Sequence, residues 1–222
     1  MGTRIQHICG QLRRHAPFTA LGTLSGIAIV VFALFVDVPY IAWETLFWIT
    51  HPLHVMLSAL VTAAVYRLNS RGGIFKTIAI GYVGSVGIAT LSDSLIPFAG
   101  EWLLDLPNRG VHLGFIERWW LVNPLAAAGI AIAFFWPHTR VSHAGHVFLS
   151  TWASLFHFTM ALGDSVSLAT VGSITIFLFL AVWLPCCTSD IVLPLLFVRQ
   201  DESAVRSLHA KGHGRKDTQC HV

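Results

Sequence analysis

Long apolar stretches recur along almost the whole chain, and they constrain the fold more than any other feature of the sequence. Six of them are long enough to cross the hydrocarbon core of a bilayer, which requires about 20 helical residues. They cover approximately residues 18–37, 43–66, 74–97, 119–136, 144–163 and 168–197. Because only helices and closed barrels satisfy their own backbone within lipid, this pattern predicts an all-α polytopic integral membrane protein, a bundle of about six transmembrane helices.

The low charge content supports the membrane class. Only 11% of the residues are charged and 55% are hydrophobic, whereas soluble domains carry about 25% charged residues. The net charge of +3 arises at the ends of the chain rather than on one face, so nucleic acid is not an expected partner. We expect a multi-pass protein of the plasma or inner membrane, with the lipid bilayer as its partner. Small residues in the third stretch permit close helix contact, within the bundle or in a homo-oligomer.

Basic residues predict the orientation, because Lys and Arg accumulate in cytosolic connections. With the N-terminus in the cytosol, twelve of the fourteen Lys and Arg residues fall in cytosolic segments. The other two, Arg109 and Arg118, fall in outer segments. Both termini are therefore predicted to be cytosolic. We expect residues 1–198 to form the six-helix transmembrane domain and residues 199–222 to form a flexible, basic, histidine-containing cytosolic tail.

The fifth apolar stretch carries a line of polar residues at helical spacing. These residues share one face of a helix, and ionisable groups inside a membrane usually face the bundle interior and mark a functional site or path. The series consists of His143, His146, Ser150, Ser154, His157 and Asp164.

The second and third stretches supply residues that could join this face. His51 and His54 lie one turn apart, and Pro52 frees a backbone carbonyl near them. Asp93 lies in the sequence TLSDSLIP, where the hydroxyls and the proline suggest that the helix opens or ends. The sequence therefore predicts an outer group of His51, His54, Asp93, His157 and Asp164, covered by a lid formed by residues 98–118.

A second group is predicted at the cytosolic end, where His143 and His146 could meet Cys186 and Asp190. The alternative is that the loop histidines are solvated and that the cysteine behaves as a small apolar residue. Imidazole and carboxylate ligands together suit a divalent transition metal, with zinc, iron or manganese favoured. The predicted metal ligands are His51, His54, Asp93, His157, Asp164 and His146.

Three functions fit these residues. The first is a transporter or permease for a divalent transition-metal ion, with the polar face of the fifth stretch connecting the two groups. The second is a membrane-embedded zinc-dependent hydrolase that acts on a lipid-like substrate from the outer leaflet, with His51, His54 and His157 as ligands and Asp93 or Asp164 as base. The third is an electron-transfer subunit with a haem between His54 and His157. The sequence leaves open whether the protein is an enzyme.

Overall fold

The computed structural model describes residues 2–34, 36, 38–69, 73–136, 140–162 and 167–187. Throughout these ranges the regular structure is helical and contains no strand, so the all-α prediction is confirmed. The tail from 199 to 222, Asp164 and Asp190 lie outside the described residues. The helices are α1 (Gly2–Leu34), α2 (Tyr40–Asn69), α3 (Ile74–Leu103), α4 (Gly114–Glu117), α5 (Trp119–Phe135), α6 (Arg140–Ala161) and α7 (Leu168–Cys187).

Three helical segments are long and apolar enough to cross a membrane: Tyr40–Leu68, Ile74–Leu103 and Ala169–Cys186. Two shorter apolar segments, Ala16–Phe32 and Trp119–Phe135, belong to α1 and α5. α6 is not in either class, and it is the helix that carries the line of histidines and hydroxyls. The predicted stretches agree with the positions of these helices, although α3 continues to Leu103 rather than ending near residue 97.

α2 is the central helix, and it packs against α6 on one side and against α5 and α3 on the other. Its buried apolar residues include Val55 and Ala59, both fully shielded from solvent. On α5, a Cβ added at Gly129 would collide with the backbone carbonyl of Met56. This close approach requires glycine, as is common where small residues let two membrane helices touch, and it sets the position of α2 between its neighbours.

α3 is one helix with two wide π-helical turns, Val83–Gly87 and Leu91–Leu95. Pro97 follows the second turn, and a proline neither bonds to the carbonyl four residues earlier nor leaves that carbonyl its normal space. That carbonyl belongs to Asp93, so the proline accounts for the local widening. The predicted opening of the helix at TLSDSLIP is therefore a π turn, a feature often found at functional sites.

The segment after α3 folds back over the end of the bundle. Asp105 has a φ of 50°, a left-handed conformation that aspartate tolerates, and the Leu106 N–H donates to the Glu101 carbonyl. These are the features of a Schellman helix end. Asn108 then donates to the carbonyls of Ala161 and Leu162 at the end of α6. The segment thus ties the C-terminal ends of α3 and α6 together.

Candidate metal centre

Asp93 is the centre of a buried polar network between α2, α3 and α6. Its Oδ2 accepts from Nδ1 of His51 at 2.9 Å and from Nδ1 of His54 at 2.7 Å. Its Oδ1 accepts from the hydroxyls of Ser92 at 2.6 Å and Ser150 at 2.9 Å. Four donors occupy the four lone-pair sites of a carboxylate, which compensates the cost of placing Asp93 where it has no exposed surface.

The local sequence explains why these groups converge. His51 and His54 are three residues apart on α2, so both face the same neighbour, and the π turn brings Asp93 towards them from α3. On α6, the Ser154 hydroxyl lies 2.9 Å from the Ser92 carbonyl, which joins that helix to the same turn. This geometry is consistent with the prediction that the polar faces of α2, α3 and α6 meet.

Nδ1 of each α2 histidine is engaged by the carboxylate, which leaves Nε2 as the atom that can bind a further group. A carboxylate that fixes the ring of a ligating histidine is the usual outer-shell arrangement of metal sites. The Nε2 atom of His51 is buried and has no hydrogen-bond partner among the described residues. A Cβ added at Gly114 would lie only 2.5 Å from that atom, so the glycine makes room for the imidazole.

His54, His146 and Cys186 form a group that could hold a metal ion, and we call these three residues the metal triad. Their ligand atoms all lie within 4.8 Å of one another, and all three side chains are buried. The His54 and His146 rings are stacked, with centroids 5.8 Å apart. Ligand atoms around a tetrahedral zinc are about 3–4 Å apart, so atoms within 4.8 Å of one another are near the spacing of a three-ligand site. We use the term central cluster for the triad together with His51, Asp93 and Ser150.

The triad combines residues that the sequence analysis assigned to two separate groups. His54 was expected with the outer group, whereas His146 and Cys186 were expected at the cytosolic end. The structure joins them in one cluster because α6 packs against both α2 and α7, which brings together residues at different positions along their helices. The Cys186 thiol lies 3.5 Å from the Ser150 hydroxyl, which is itself bonded to Asp93.

His157 was expected to share a site with His51, His54 and Asp93, but its hydrogen bond goes to another carboxylate. Its Nδ1 lies 2.6 Å from Oε1 of Glu101, and both side chains are buried. From the sequence, Glu101 was expected only within the predicted lid, residues 98–118, because the hydroxyls and the proline of TLSDSLIP suggested that the helix opens or ends there. The signal that could have identified Glu101 is its position as an acidic residue about two helical turns beyond Asp93 on the same helix.

The predicted lid contributes directly to this end of the network. The Gly110 N–H donates to Oε2 of Glu101 at 3.3 Å, and the His112 N–H donates to the Ser94 hydroxyl at 3.0 Å. The His112 ring lies 5.3 Å from the His157 ring, centroid to centroid. The loop is therefore attached to the polar interior by its backbone, and His112 is a site residue that the sequence analysis did not select.

The structure thus relates the six predicted ligands to the cluster in different ways. His54 and His146 belong to the triad, Asp93 and His51 support it, and His157 lies in a neighbouring pair with Glu101. Asp164 is outside the described residues. No protein family, no curated protein and no solved structure matches this chain.

Proposed function

We propose that the protein is a multi-pass membrane transporter for a divalent transition-metal ion, with the metal triad as its central binding site. The observation that carries this proposal is the combination of metal-binding chemistry with complete enclosure. His54, His146 and Cys186 are at most 2% exposed, and they lie in a polar network that extends along α2, α3 and α6. An enclosed site in the middle of a transport path is occluded in one state and opens in others.

The membrane arrangement in this proposal has six spans and cytosolic termini. The three segments that meet the length and hydropathy requirements are α2, α3 and α7, and α1, α5 and α6 would complete the bundle. α6 can cross a bilayer despite its polar residues because its described side chains are largely buried inside the protein. The distribution of Lys and Arg supports the orientation.

The donor set favours zinc or iron over manganese. Thiolate and imidazole ligands select zinc and other borderline or soft ions, whereas manganese prefers oxygen ligands. The triad offers two imidazoles and one thiol, and the nearest oxygens belong to Ser150 and to Asp93, which is already occupied by four donors. Zinc is therefore the first ion to test.

Transport also requires that the ion can leave. A closed site with four cysteines would hold zinc tightly, whereas three protein ligands and an open position permit exchange. Towards α3's C-terminal end, the imidazoles of His51, His157 and His112 each have one nitrogen held by a carboxylate. They provide a series of further sites along the proposed path.

Zinc-dependent hydrolysis is the alternative that one observation favours: three protein ligands and an open fourth position are also the pattern of catalytic zinc. Two observations weigh against it. The triad is shielded from solvent and lipid, and His157 lies with Glu101 rather than with His51 and His54. The haem alternative gains no support, because His54 contacts Asp93 and His146 while His157 contacts Glu101.

The proposal is tested by reconstituting the full chain in liposomes and measuring zinc uptake with an entrapped fluorescent indicator. We expect saturable uptake that His54→Ala and Cys186→Ser each abolish. Cys187→Ser is the matched thiol control, and Thr45→Ala, whose hydroxyl bonds only within its own helix among the described contacts, is the control for folding and insertion. Uptake by both triad variants at the wild-type rate would refute the proposal.

Elemental analysis distinguishes the two metal-dependent functions, transport and hydrolysis, from functions that need no metal. Purified wild-type protein should retain zinc or iron, and His54→Ala should not. Absence of a transition metal from both proteins would remove both metal-based functions. If His146→Ala leaves zinc uptake at the wild-type rate while His51→Ala abolishes it, the metal triad is not the transport site and a site built on His51 is favoured.

A further inference from the structure

A second group of histidines lies at the end of the bundle where the chain leaves α3, and it repeats the construction of the central cluster. Its aromatic core is Phe47, whose side chain has no exposed surface. The ring centroids of three histidines lie within 6 Å of the Phe47 centroid. We call the following set the loop-end cluster: Phe47, Glu101, His112, Glu117 and His157.

Both histidines of this cluster are oriented by their own carboxylate. Nδ1 of His157 lies 2.6 Å from Glu101, and Nδ1 of His112 lies 3.2 Å from Oε2 of Glu117. In the neutral ring with Nδ1 donating, Nε2 carries a lone pair. A carboxylate that holds Nδ1 in this way also makes Nε2 a better metal ligand.

The Nε2 atom of His157 has no hydrogen-bond partner among the described residues, although the side chain is 99% buried. Leaving such a buried atom unsatisfied is unfavourable. Glu101 fixes the orientation of the His157 ring through Nδ1, so Nε2 is positioned to bind a further group. The adjacent His112 ring is the nearest second imidazole to which the structure assigns a contact.

The distance between the His112 and His157 rings leaves room for an ion that both imidazoles bind. Two imidazoles that bind one tetrahedral ion through Nε2, with metal–nitrogen bonds of about 2.1 Å, have centroids about 5 Å apart. The His112 and His157 centroids are 5.3 Å apart, and their planes are inclined by 71°.

We propose that His112 and His157 form a second binding site for a divalent transition-metal ion, weaker than the triad and placed at its entrance. Two imidazoles without a thiol give a weaker site, and water would complete the coordination. Of the two rings, His112 is 23% exposed and His157 is 1% exposed, so the pair connects solvent with the interior. The binding site stands independently, and its role as an entrance rests on the proposed transport.

Charge at the loop end is balanced in favour of a cation. Glu101 and Glu117 each contribute a carboxylate next to the pair. Of the basic residues in this segment, Arg109 pairs with Asp105 and Arg118 lies near Trp48. Its guanidinium lies 5.4 Å from the centroid of the Trp48 ring, which in turn contacts His112 edge to face at 6.0 Å. The arginine is thus engaged by an aromatic face, and two negative charges remain close to the imidazoles.

Phe47 lies between the pair and the central cluster. Its ring stacks on His51 at 5.3 Å and meets His157 edge to face at 5.5 Å. An ion that moves from the pair to the triad would have to pass this apolar ring, which contributes no ligand. The two sites are therefore separate, and they can be titrated separately.

The experiment is a cobalt(II) titration of the full-length protein, because a thiolate ligand produces a charge-transfer band that imidazoles alone do not. A background in which His209, His213 and His221 are alanine and Cys220 is serine removes the side chains of the tail that could also bind cobalt. We expect a first equivalent that develops the thiolate band and a second, weaker equivalent that changes only the d–d absorption.

His112→Ala should remove the second equivalent and leave the thiolate band intact, which also shows that the variant is folded. Arg109→Ala is the matched loop control, since among the described residues Arg109 forms an ion pair with the exposed Asp105, and it should retain both equivalents. Two equivalents in His112→Ala, or a wild-type protein with only the thiolate-linked equivalent, would overturn this proposal. If the wild-type protein shows the d–d change but no thiolate band, that result contradicts the triad and supports the second site.

Discussion

The central cluster and the loop-end cluster use the same unit, an imidazole with Nδ1 on a carboxylate, in two different surroundings. In the central cluster one carboxylate, that of Asp93, serves two imidazoles and two hydroxyls. At the loop end each imidazole has a carboxylate of its own. The central cluster adds a thiol and is fully enclosed, whereas the loop-end cluster has no thiol and includes a partly exposed ring.

This difference relates the position of each cluster to its expected affinity for a metal ion. A metal site gains affinity from thiolate and from enclosure, so the central cluster should bind more tightly and exchange more slowly. The loop-end cluster has no thiol and is partly accessible to solvent, so it suits the capture and release of an ion. A graded series of sites is what passage through a protein requires, since an ion that binds too tightly at one point does not move on.

The largest effect should follow from Asp93→Ala. The change leaves two buried imidazoles without their acceptor, and each such loss costs about 1–3 kcal/mol, whereas the Ser92 and Ser150 hydroxyls keep a second, longer hydrogen bond. We expect the free energy of unfolding to fall by about 2–6 kcal/mol, as measured by denaturant titration in detergent micelles. Asp93→Asn keeps the shape and should lose less stability, while its metal affinity falls about 10–100-fold. An alanine variant as stable as wild type would show that Asp93 does not organise the central cluster.

A smaller but selective effect is expected for His54→Ala. Loss of one of three ligands should weaken binding at the triad more than about 100-fold, beyond the effect of an outer-shell change. Binding at the loop-end cluster should stay within a factor of about two, because the His112–His157 pair does not use His54. Equal losses at both clusters in the cobalt titration would mean that they form a single site.

Glu101→Gln tests the loop-end cluster in the same way. The amide keeps the size of the side chain but no longer supplies the charge that orients His157, so binding there should weaken about 10–100-fold. The thiolate–cobalt band of the triad should be unchanged. Thr45→Ala provides the control, and a loss of the thiolate band in Glu101→Gln would indicate that the two clusters are coupled.

The smallest effect is expected at Gly114, where α4 approaches His51 of the central cluster. A Cβ at Gly114 would lie 2.5 Å from Nε2 of His51 and 3.3 Å from Val122, so Gly114→Ala should overpack this point and cost about 1–3 kcal/mol. Gly172→Ala is the matched control, because a Cβ there meets nothing within 4 Å and should leave stability unchanged or slightly raised. Thermal unfolding of the two variants side by side measures the difference.

Much of the helical framework could be predicted from apolar stretch length alone. The spacing of His51 and His54, and that of His146, Ser150, Ser154 and His157, also identified two faces that are buried. These are local properties, since a helix of about 3.6 residues per turn determines which of its residues share a face. The π turn at Asp93 had a local cause as well, in Pro97.

The pairing of residues between helices could not be read in this way. Glu101 meets His157 across a separation of 56 residues, and His54 meets His146 and Cys186 although the sequence analysis assigned them to different ends of the bundle. Crossing angles and relative heights of helices decide such contacts, and they depend on the packing of all side chains together, including the close contact of Gly129 with α2. The return of the loop to Glu101 and Ser94 is likewise a matter of tertiary structure.

By itself, the sequence determined that this chain is helical, that it has segments suited to a bilayer, and that these segments carry residue types able to bind a metal. Those properties follow from apolar length, helical periodicity and side-chain chemistry, all of which are local. Only the tertiary structure decided that the thiol of Cys186 joins His54 and His146, and that His112 and His157 form a pair of their own. The physical reason is that a metal site needs ligands within a few ångströms of one point, and only the crossing of the helices brings them there.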